Sequence, residues 1–180
     1  MTRPSTLFIT ILFMAGLVHG AETDYGQPHP KAPPEAAQYN FLKGKWDIDI
    51  RWKKPSGETM DYKATFTCSW EVAGTVFQQE WKGPYLMGRE FRTYNKKTGK
   101  WDGYNFYTGG EWVPTESQFI DGKMIVHLKV NNQQGKFINR ETYFNIKNDS
   151  FEMKSERSYD DGKTWVEGAY VLKGTRNQTT

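Results

Sequence analysis

Strict two-residue alternation over residues 46–52 constrains this chain more than any other feature. Trp46, Ile48, Ile50 and Trp52 point one way, and Lys45, Asp47, Asp49, Arg51 and Lys53 the other. That period belongs to a strand with one buried and one wet face; a helix would repeat its apolar positions every three to four residues. Residues 60–72 repeat it at greater length, with Met60, Tyr62, Ala64, Phe66, Cys68, Trp70 and Val72 against Asp61, Lys63, Thr65, Thr67, Ser69 and Glu71. Further strand-like segments span 75–81, 89–95, 100–107, 111–119, 123–130, 137–146, 151–159 and 164–173. Turn signals separate them: Pro55-Ser56-Gly57, Ala73-Gly74, Lys97-Thr98-Gly99, Gly109-Gly110, Asp121-Gly122, Gln134-Gly135, Asn148-Asp149 and Asp161-Gly162. About ten short strands at spacings of roughly 8–12 residues predict an all-β sandwich or barrel. Every link is short enough for neighbours to pair as hairpins, which favours a single up-and-down antiparallel barrel of about 8–10 strands; closure also removes the sheet edges. The phase of residues 89–119 stays open, because aromatics fall on both faces.

Residues 1–20 read as a secretory signal, with Arg3 as the one charge, an apolar run over 7–18 and compact residues at Val18-His19-Gly20. The run is too short for a membrane helix of about 20 residues, so the expectation is export to the periplasm or beyond, with no stable membrane insertion. Residues 21–35 form a Pro-rich arm carrying Pro28, Pro30, Pro33 and Pro34, expected to be extended. A short helical turn opened by Pro34 leads into the barrel, assigned to 36–175, and residues 176–180 are a tail.

The 24 Lys and Arg and 21 Asp and Glu are interspersed, with no basic block. This argues against nucleic acid as a partner. The single Cys cannot form an internal disulfide; Cys68 shares its face with Phe66 and Trp70 and reads as a buried hydrophobe. His127 lies opposite the apolar face of Met124, Val126, Leu128 and Val130, so it reads as a surface residue. The sequence holds no metal-ligand constellation, G-x-S-x-G, phosphate loop or dinucleotide fingerprint, so it implies no cofactor and names no catalytic machinery. Trp46, Trp52, Trp70, Trp81 and Trp165 fall on expected inward faces, which points to core packing rather than a sugar platform. Asn148-Asp149-Ser150 and Asn177-Gln178-Thr179 are glycosylation sequons, meaningful only in a eukaryotic secretory pathway.

Inward-facing polar residues are the informative departure. A two-residue turn at Ala73-Gly74 sets Trp70 opposite Phe77, Cys68 opposite Gln79 and Phe66 opposite Trp81. A two-residue turn at Asn148-Asp149 sets Ile146 opposite Phe151, Thr142 opposite Ser155 and Arg140 opposite Arg157. In the last hairpin, aligning Arg157 with Glu167 keeps Trp165 and Val171 inside. These registers gather Arg140, Arg157, Glu167 and Gln79 in the interior, with Trp70, Phe77, Trp81 and Tyr159 around them. Two cations and one anion leave a positive excess that an anionic ligand can answer through bidentate contacts. A purely structural Arg-Glu-Arg network is the alternative, as is neutralisation by Glu141, Glu90 or Glu116. The chain therefore reads as a barrel binding a small hydrophobic or anionic molecule. The competing roles are an accessory or interaction domain filled by its own aromatics, and an unidentified enzyme. An internal cavity of a few hundred Å³ separates binding from filling.

Gly44-Lys45-Trp46, following the helical turn, resembles the G-x-W signature of calycins, the lipocalin superfamily. The resemblance implies that Trp46 closes one end of the barrel and that a basic residue on the last strand, Lys173 or Arg176, packs over it. Residues 41–173 also resemble a family of small, exported, mostly bacterial calycin-like domains of unknown function. The matching stretches are Phe41-Leu42-Lys43-Gly44-Lys45-Trp46-Asp47, Thr98-Gly99-Lys100-Trp101, Arg140 and Ser158-Tyr159-Asp160-Asp161-Gly162-Lys163-Thr164-Trp165; Leu42 departs from that family's F-W-x-G-x-W. This resemblance implies a fold and carries no activity. Residues 158–165 are in addition similar to the Asp-box of sialidase propellers. In that motif Asp160 would accept turn amides, Gly162 would take positive φ and Trp165 would pack back into the core. A propeller needs several copies at a period of about 40–50 residues, and this chain has one.

The exported protein is expected to begin at Ala21, which N-terminal sequencing checks; an intact Met1 would contradict the signal reading.

Overall fold

The computed structural model describes residues 24–132 and 135–177. The export signal, the cleavage site before Ala21, Gln134 of the expected turn and residues 178–180 lie outside the described residues. Ten strands follow one another: β1 (Gly44–Lys53), β2 (Thr59–Glu71), β3 (Val76–Lys82), β4 (Met87–Asn95), β5 (Lys100–Tyr107), β6 (Trp112–Ile120), β7 (Lys123–Asn132), β8 (Gly135–Phe144), β9 (Ser150–Ser158) and β10 (Val166–Arg176). Each pairs antiparallel with its sequence neighbours, and β1 pairs with β10, so the meander closes into a barrel. No helix among the described residues is long and apolar enough to cross a membrane.

A 3-10 helix, Pro34–Leu42, enters the end of the barrel where β1 begins. Its Tyr39 and Leu42 are fully buried. The Tyr39 ring lies 5.3 Å from Phe77 and 4.8 Å from Trp101, and its hydroxyl meets Ser117 Oγ at 2.7 Å. Trp46, Phe66, Trp70, Phe77, Trp101 and Phe151 fill the space around it, so this half of the barrel is solid. The Pro-rich arm is tied to the same end: Trp70 N donates to Tyr25 O at 2.8 Å and His29 N to Gly74 O at 2.9 Å.

Arg176 is the basic residue over Trp46. Its guanidinium carbon lies 4.1 Å from the Trp46 ring centroid. Nη1 donates to Lys43 O at 2.6 Å, Nη2 to Phe41 O at 3.3 Å and Nε to Asn148 O at 2.6 Å. Gly44 makes this possible: its φ is +108°, and a Cβ there would sit 2.9 Å from Arg176 Nη1. Lys173 pairs with Asp49 on the outer face instead.

The open phase of residues 89–119 resolves with the polar side chains inside. Glu90, Arg92, Asn105, Thr115 and Ser117 are buried, whereas Tyr104, Phe106 and Trp112 are exposed. The hydrogen-bond ladder sets that choice. In β5, Trp101 takes the interior place against Tyr39, and Asn105 follows it by parity. Cys68 is fully buried, and burial pushes its thiol up to about 12.

The β2–β3 register is the expected one, with Trp70 opposite Phe77, Cys68 opposite Gln79 and Phe66 opposite Trp81. The β8–β9 register is not. Lys147 N donates to Ser150 O, yet Phe144 pairs with Glu152, so β8 carries one residue more than β9 between these points. Asn145, at φ +50°, lies in that step. Arg140 consequently pairs with Glu156 and faces outward, while Asn139 and Glu141 turn inward. A one-residue slip exchanges the two faces of a strand.

The β9–β10 expectation also changes. Val166 pairs with Arg157 and Glu167 with Glu156, and the register then shifts before Val171 meets Lys154. Glu167 lies outside the barrel interior, 3.8 Å from Lys53, and Val171 is exposed. Trp165 packs on the outer wall, its ring 3.8 Å from the Arg140 guanidinium and 5.8 Å from His127. His127 faces outward as expected and is half-covered by this indole. The Asp-box hydrogen bonds form: Asp160 Oδ1 accepts from Thr164 N at 2.9 Å, and Gly162 N donates to Ser158 Oγ at 2.8 Å.

Arg176→Met is expected to lower stability by about 2–3 kcal/mol, since it removes charge-assisted bonds to three carbonyls and keeps much of the aliphatic stem. Urea unfolding should show an earlier midpoint at unchanged slope.

Candidate functional site

The half of the barrel away from the 3-10 helix is not filled. A cavity of about 320 Å³ lies there, between the β1–β2, β3–β4 and β5–β6 connections. Ile50, Trp52, Tyr62, Phe66, Trp81 and Met153 supply an apolar wall, and Tyr85 and Leu86 of the β3–β4 loop flank the entrance. Gln79, Glu90, Asn105, Tyr107, Glu141, Tyr143 and Tyr170 supply the polar groups. Alternation brings them together, because each is an inward position of its own strand.

Two carboxylates sit in this wall. Glu90 is engaged: Arg92 Nη2 donates to its Oε2, and Thr115 Oγ1 to its Oε1 at 2.9 Å. Arg92 Nη2 also meets Gln79 Oε1 at 2.9 Å, and the Arg92 guanidinium carbon lies 4.4 Å from the Tyr39 ring centroid. Burial, the largest single influence, pulls the Arg92 guanidinium down, but Glu90, Tyr39 and Tyr143 together hold it above its ordinary value. Among the described residues no cation pairs with Glu141. Its Oε1 accepts from the Tyr170 hydroxyl and, at 3.5 Å, from Asn139 Nδ2. Burial, with Glu90 nearby, pushes its carboxyl up to about 7 against the opposing pull of Tyr170 and Arg92. Burial raises the Tyr107, Tyr143 and Tyr170 hydroxyls well above the ordinary phenol value, so all three stay neutral donors.

Tyr170 reaches Glu141 because of the register shift in β10. Ser155 Oγ donates to Tyr170 O at 2.9 Å and accepts from Tyr170 N at 3.0 Å, pinning the irregular stretch. Gly168 is required there, since any Cβ would overlap Ser155. Two buried polar atoms in the wall have no partner among the described residues: Asn105 Oδ1 and Trp81 Nε1. Asn105 Nδ2 is used, donating to the Tyr107 hydroxyl at 2.7 Å.

Of the residues gathered by sequence, Gln79 and Trp81 line the cavity. Trp70 is buried in the filled half, with Nε1 donating to Asn40 Oδ1 at 2.8 Å. Arg157 is half-buried over Phe137, 4.6 Å from its ring centroid, and meets Tyr159 and Glu167 in a separate groove beside the β1–β2 turn. Arg140 is on the outer wall, clamped to Glu156 at 3.0 Å. Sequence reasoning treated Glu141 and Glu90 only as neutralisers of an arginine. Two signals stood in the chain: Asn145, a residue type that tolerates positive φ, and the alternation of Glu90 with Arg92. Among the described residues no group of three or more His, Cys, Asp or Glu could hold a metal ion.

No family model matches the sequence, and no curated protein matches it. Similar solved structures include the S-type phycobiliprotein lyase CPES from Guillardia theta, with TM-score 0.57 and 10% identity over 79% of this chain and 92% of that one. Rv2717c from M. tuberculosis matches with TM-score 0.56 and 14% identity over 82% of this chain and 99% of that one. A protein of unknown function from the DUF3598 family of Nostoc punctiforme matches with TM-score 0.53 and 18% identity; 82% of this chain is covered but only 53% of that one. At these identities the likeness is one of fold, a calycin-like barrel.

Folding raises the Glu141 carboxyl from 4.5 to about 7. Between those values the folded state binds more protons than the unfolded chain, so stability falls as pH rises through the window. The fall is expected to reach about 3 kcal/mol, at roughly 1.4 kcal/mol per unit. Glu141→Gln should flatten this dependence and be more stable than wild type at pH 8, as read by urea unfolding across the window; an equal slope in both proteins would refute it.

Proposed function

We propose that this chain is an exported calycin-like barrel that holds one small, mainly apolar molecule in its open half. The cavity carries this reading. Its volume of about 320 Å³ falls at the low end of ordinary ligand pockets, roughly 300–1,000 Å³. Its wall is aromatic and aliphatic with a few convergent polar groups, the pattern that orients a ligand within an apolar site. The unpartnered Asn105 Oδ1 and Trp81 Nε1 fit a site that an occupant completes. Gln79 and Trp81 belong to this site; Arg157 and Tyr159 are candidates for a contact at the rim.

The anionic alternative has the weaker support. Arg92, next to the cavity rather than in its lining, donates through Nη2 to Glu90 and Gln79 while its Nε and Nη1 lack acceptors among the described residues, and Arg89 at the entrance is held by Glu80 at 2.8 Å. Export rests on the signal pattern alone. The lyase among the fold neighbours is an instance of a barrel of this shape serving a chemical role. A second reading, an interaction domain, draws on the exposed Tyr104, Phe106 and Trp112 on the outer face of β5 and β6.

Calorimetric titration with 2-naphthalenemethanol, a neutral probe of suitable size, is expected to show saturable binding with Kd below about 1 mM. Leu86→Trp, at the entrance rather than in the core, should weaken it about tenfold or more while the circular dichroism spectrum stays the same. Absence of saturable binding by neutral aromatic probes would remove this reading and leave the interaction domain.

A further inference from the structure

Resting on the binding reading, we infer that the cavity selects ligands presenting a protonated amine or amidine, which Glu141 receives. Charge is the first reason. The charged residues of the wall are Arg89, Glu90 and Glu141; Arg89 is answered by Glu80 at 2.8 Å, and Glu90 by Arg92 beside the cavity. That leaves Glu141 as a buried carboxyl whose protein partners are neutral, a hydroxyl and an amide. Both bonds fall on Oε1, so Oε2 is the atom left for an occupant. A buried carboxylate gains most from a charge-assisted donor, and an anionic ligand would meet repulsion in the same place.

The remaining wall agrees. Asn105 Oδ1 is a second acceptor, buried and unpartnered, that a donor on the ligand would meet, while the unpartnered Trp81 Nε1 would take an acceptor on the same molecule. Tyr107, Tyr143 and Tyr170 line the same cavity, so a cationic group there lies among aromatic rings, which attract a desolvated cation. An apolar body would lie against Ile50, Phe66, Trp81 and Met153. The ligand class is therefore an aromatic or aliphatic amine, an amphipathic base of modest size.

Protonation gives an independent handle. The charged and titratable groups facing Glu141 are Glu90 and Arg92 on β4, Tyr107 on β5, Tyr143 on β8, Tyr170 on β10 and Tyr39 on the 3-10 helix; β9 presents Ser155 directly opposite. Glu141 itself is placed to change charge near neutrality, at about 7. A cationic ligand demands its ionised form, so binding below that pH must release a proton, and affinity must fall as pH falls.

Three probes with one ring system test this by titration calorimetry: 2-naphthylmethylamine, 2-naphthalenemethanol and 2-naphthoate. Wild type at pH 8 should bind the amine about tenfold or more tighter than the alcohol, with the carboxylate weakest. Lowering the pH to 5.5 should weaken the amine, which stays protonated throughout, and leave the alcohol unchanged. Glu141→Gln should bind amine and alcohol alike. An amine no better than the alcohol, a carboxylate that binds best, or a Gln variant that keeps the amine preference would overturn the inference while alcohol binding preserved the general role. Failure of all three probes would overturn both. Should the Gln variant not fold, the wild-type ranking and its pH dependence decide the matter alone.

Discussion

The pairing of β1 with β10 is the constraint on which the rest of this barrel depends. Trp46 through Trp52 align with Arg176 through Tyr170, and that seam turns a meander of hairpins into a closed surface without edges. Closure makes inside and outside absolute, so each residue's face follows from its register. Arg176 holds the seam where it meets the 3-10 helix: one guanidinium covers Trp46 and ties Phe41, Lys43 and Asn148. Gly44 lets it approach.

Closure also divides the interior. At one end the 3-10 helix inserts Tyr39 and Leu42 among Trp46, Phe77 and Trp101, and aromatic packing leaves no room. At the other end no helix among the described residues enters, and inward positions carry Gln79, Glu90, Asn105 and Glu141. Such polar groups destabilise a closed interior unless they are paired. The Glu90–Arg92–Gln79–Thr115 network meets that need in part; Arg92 Nε and Nη1 still lack acceptors among the described residues. Glu141 meets it with Tyr170, which depends in turn on Ser155 pinning the shifted stretch of β10. A fold selected for stability alone would have apolar residues there. The arrangement makes physical sense as a site that an occupant completes.

The architecture was legible because it follows from a local rule. Period-two alternation in residues 46–52 and 60–72, with turn residues at short spacing, implies half-buried strands joined as hairpins, and a meander of that length closes. The β2–β3 register was legible too. Pairing extends only to Glu71 and Val76 rather than to Val72 and Thr75, but both follow the same register, so Gln79 was correctly placed among aromatics.

The site was less legible, because a register carries over many residues from a single local event. One additional residue near Asn145 and a shift between Glu167 and Val171 exchanged faces: Arg140, Glu167 and Trp165 left the interior, and Glu141, Asn139 and Tyr170 entered it. Nothing in β8 alone distinguishes Arg140 inward from Glu141 inward, since both alternations are half polar. The sequence by itself determined strands, closure and which end the Gly44-Lys45-Trp46 motif seals. Only the tertiary structure decided which charge lies buried, because alternation sets the period of a strand, whereas its phase is set by the partner strand.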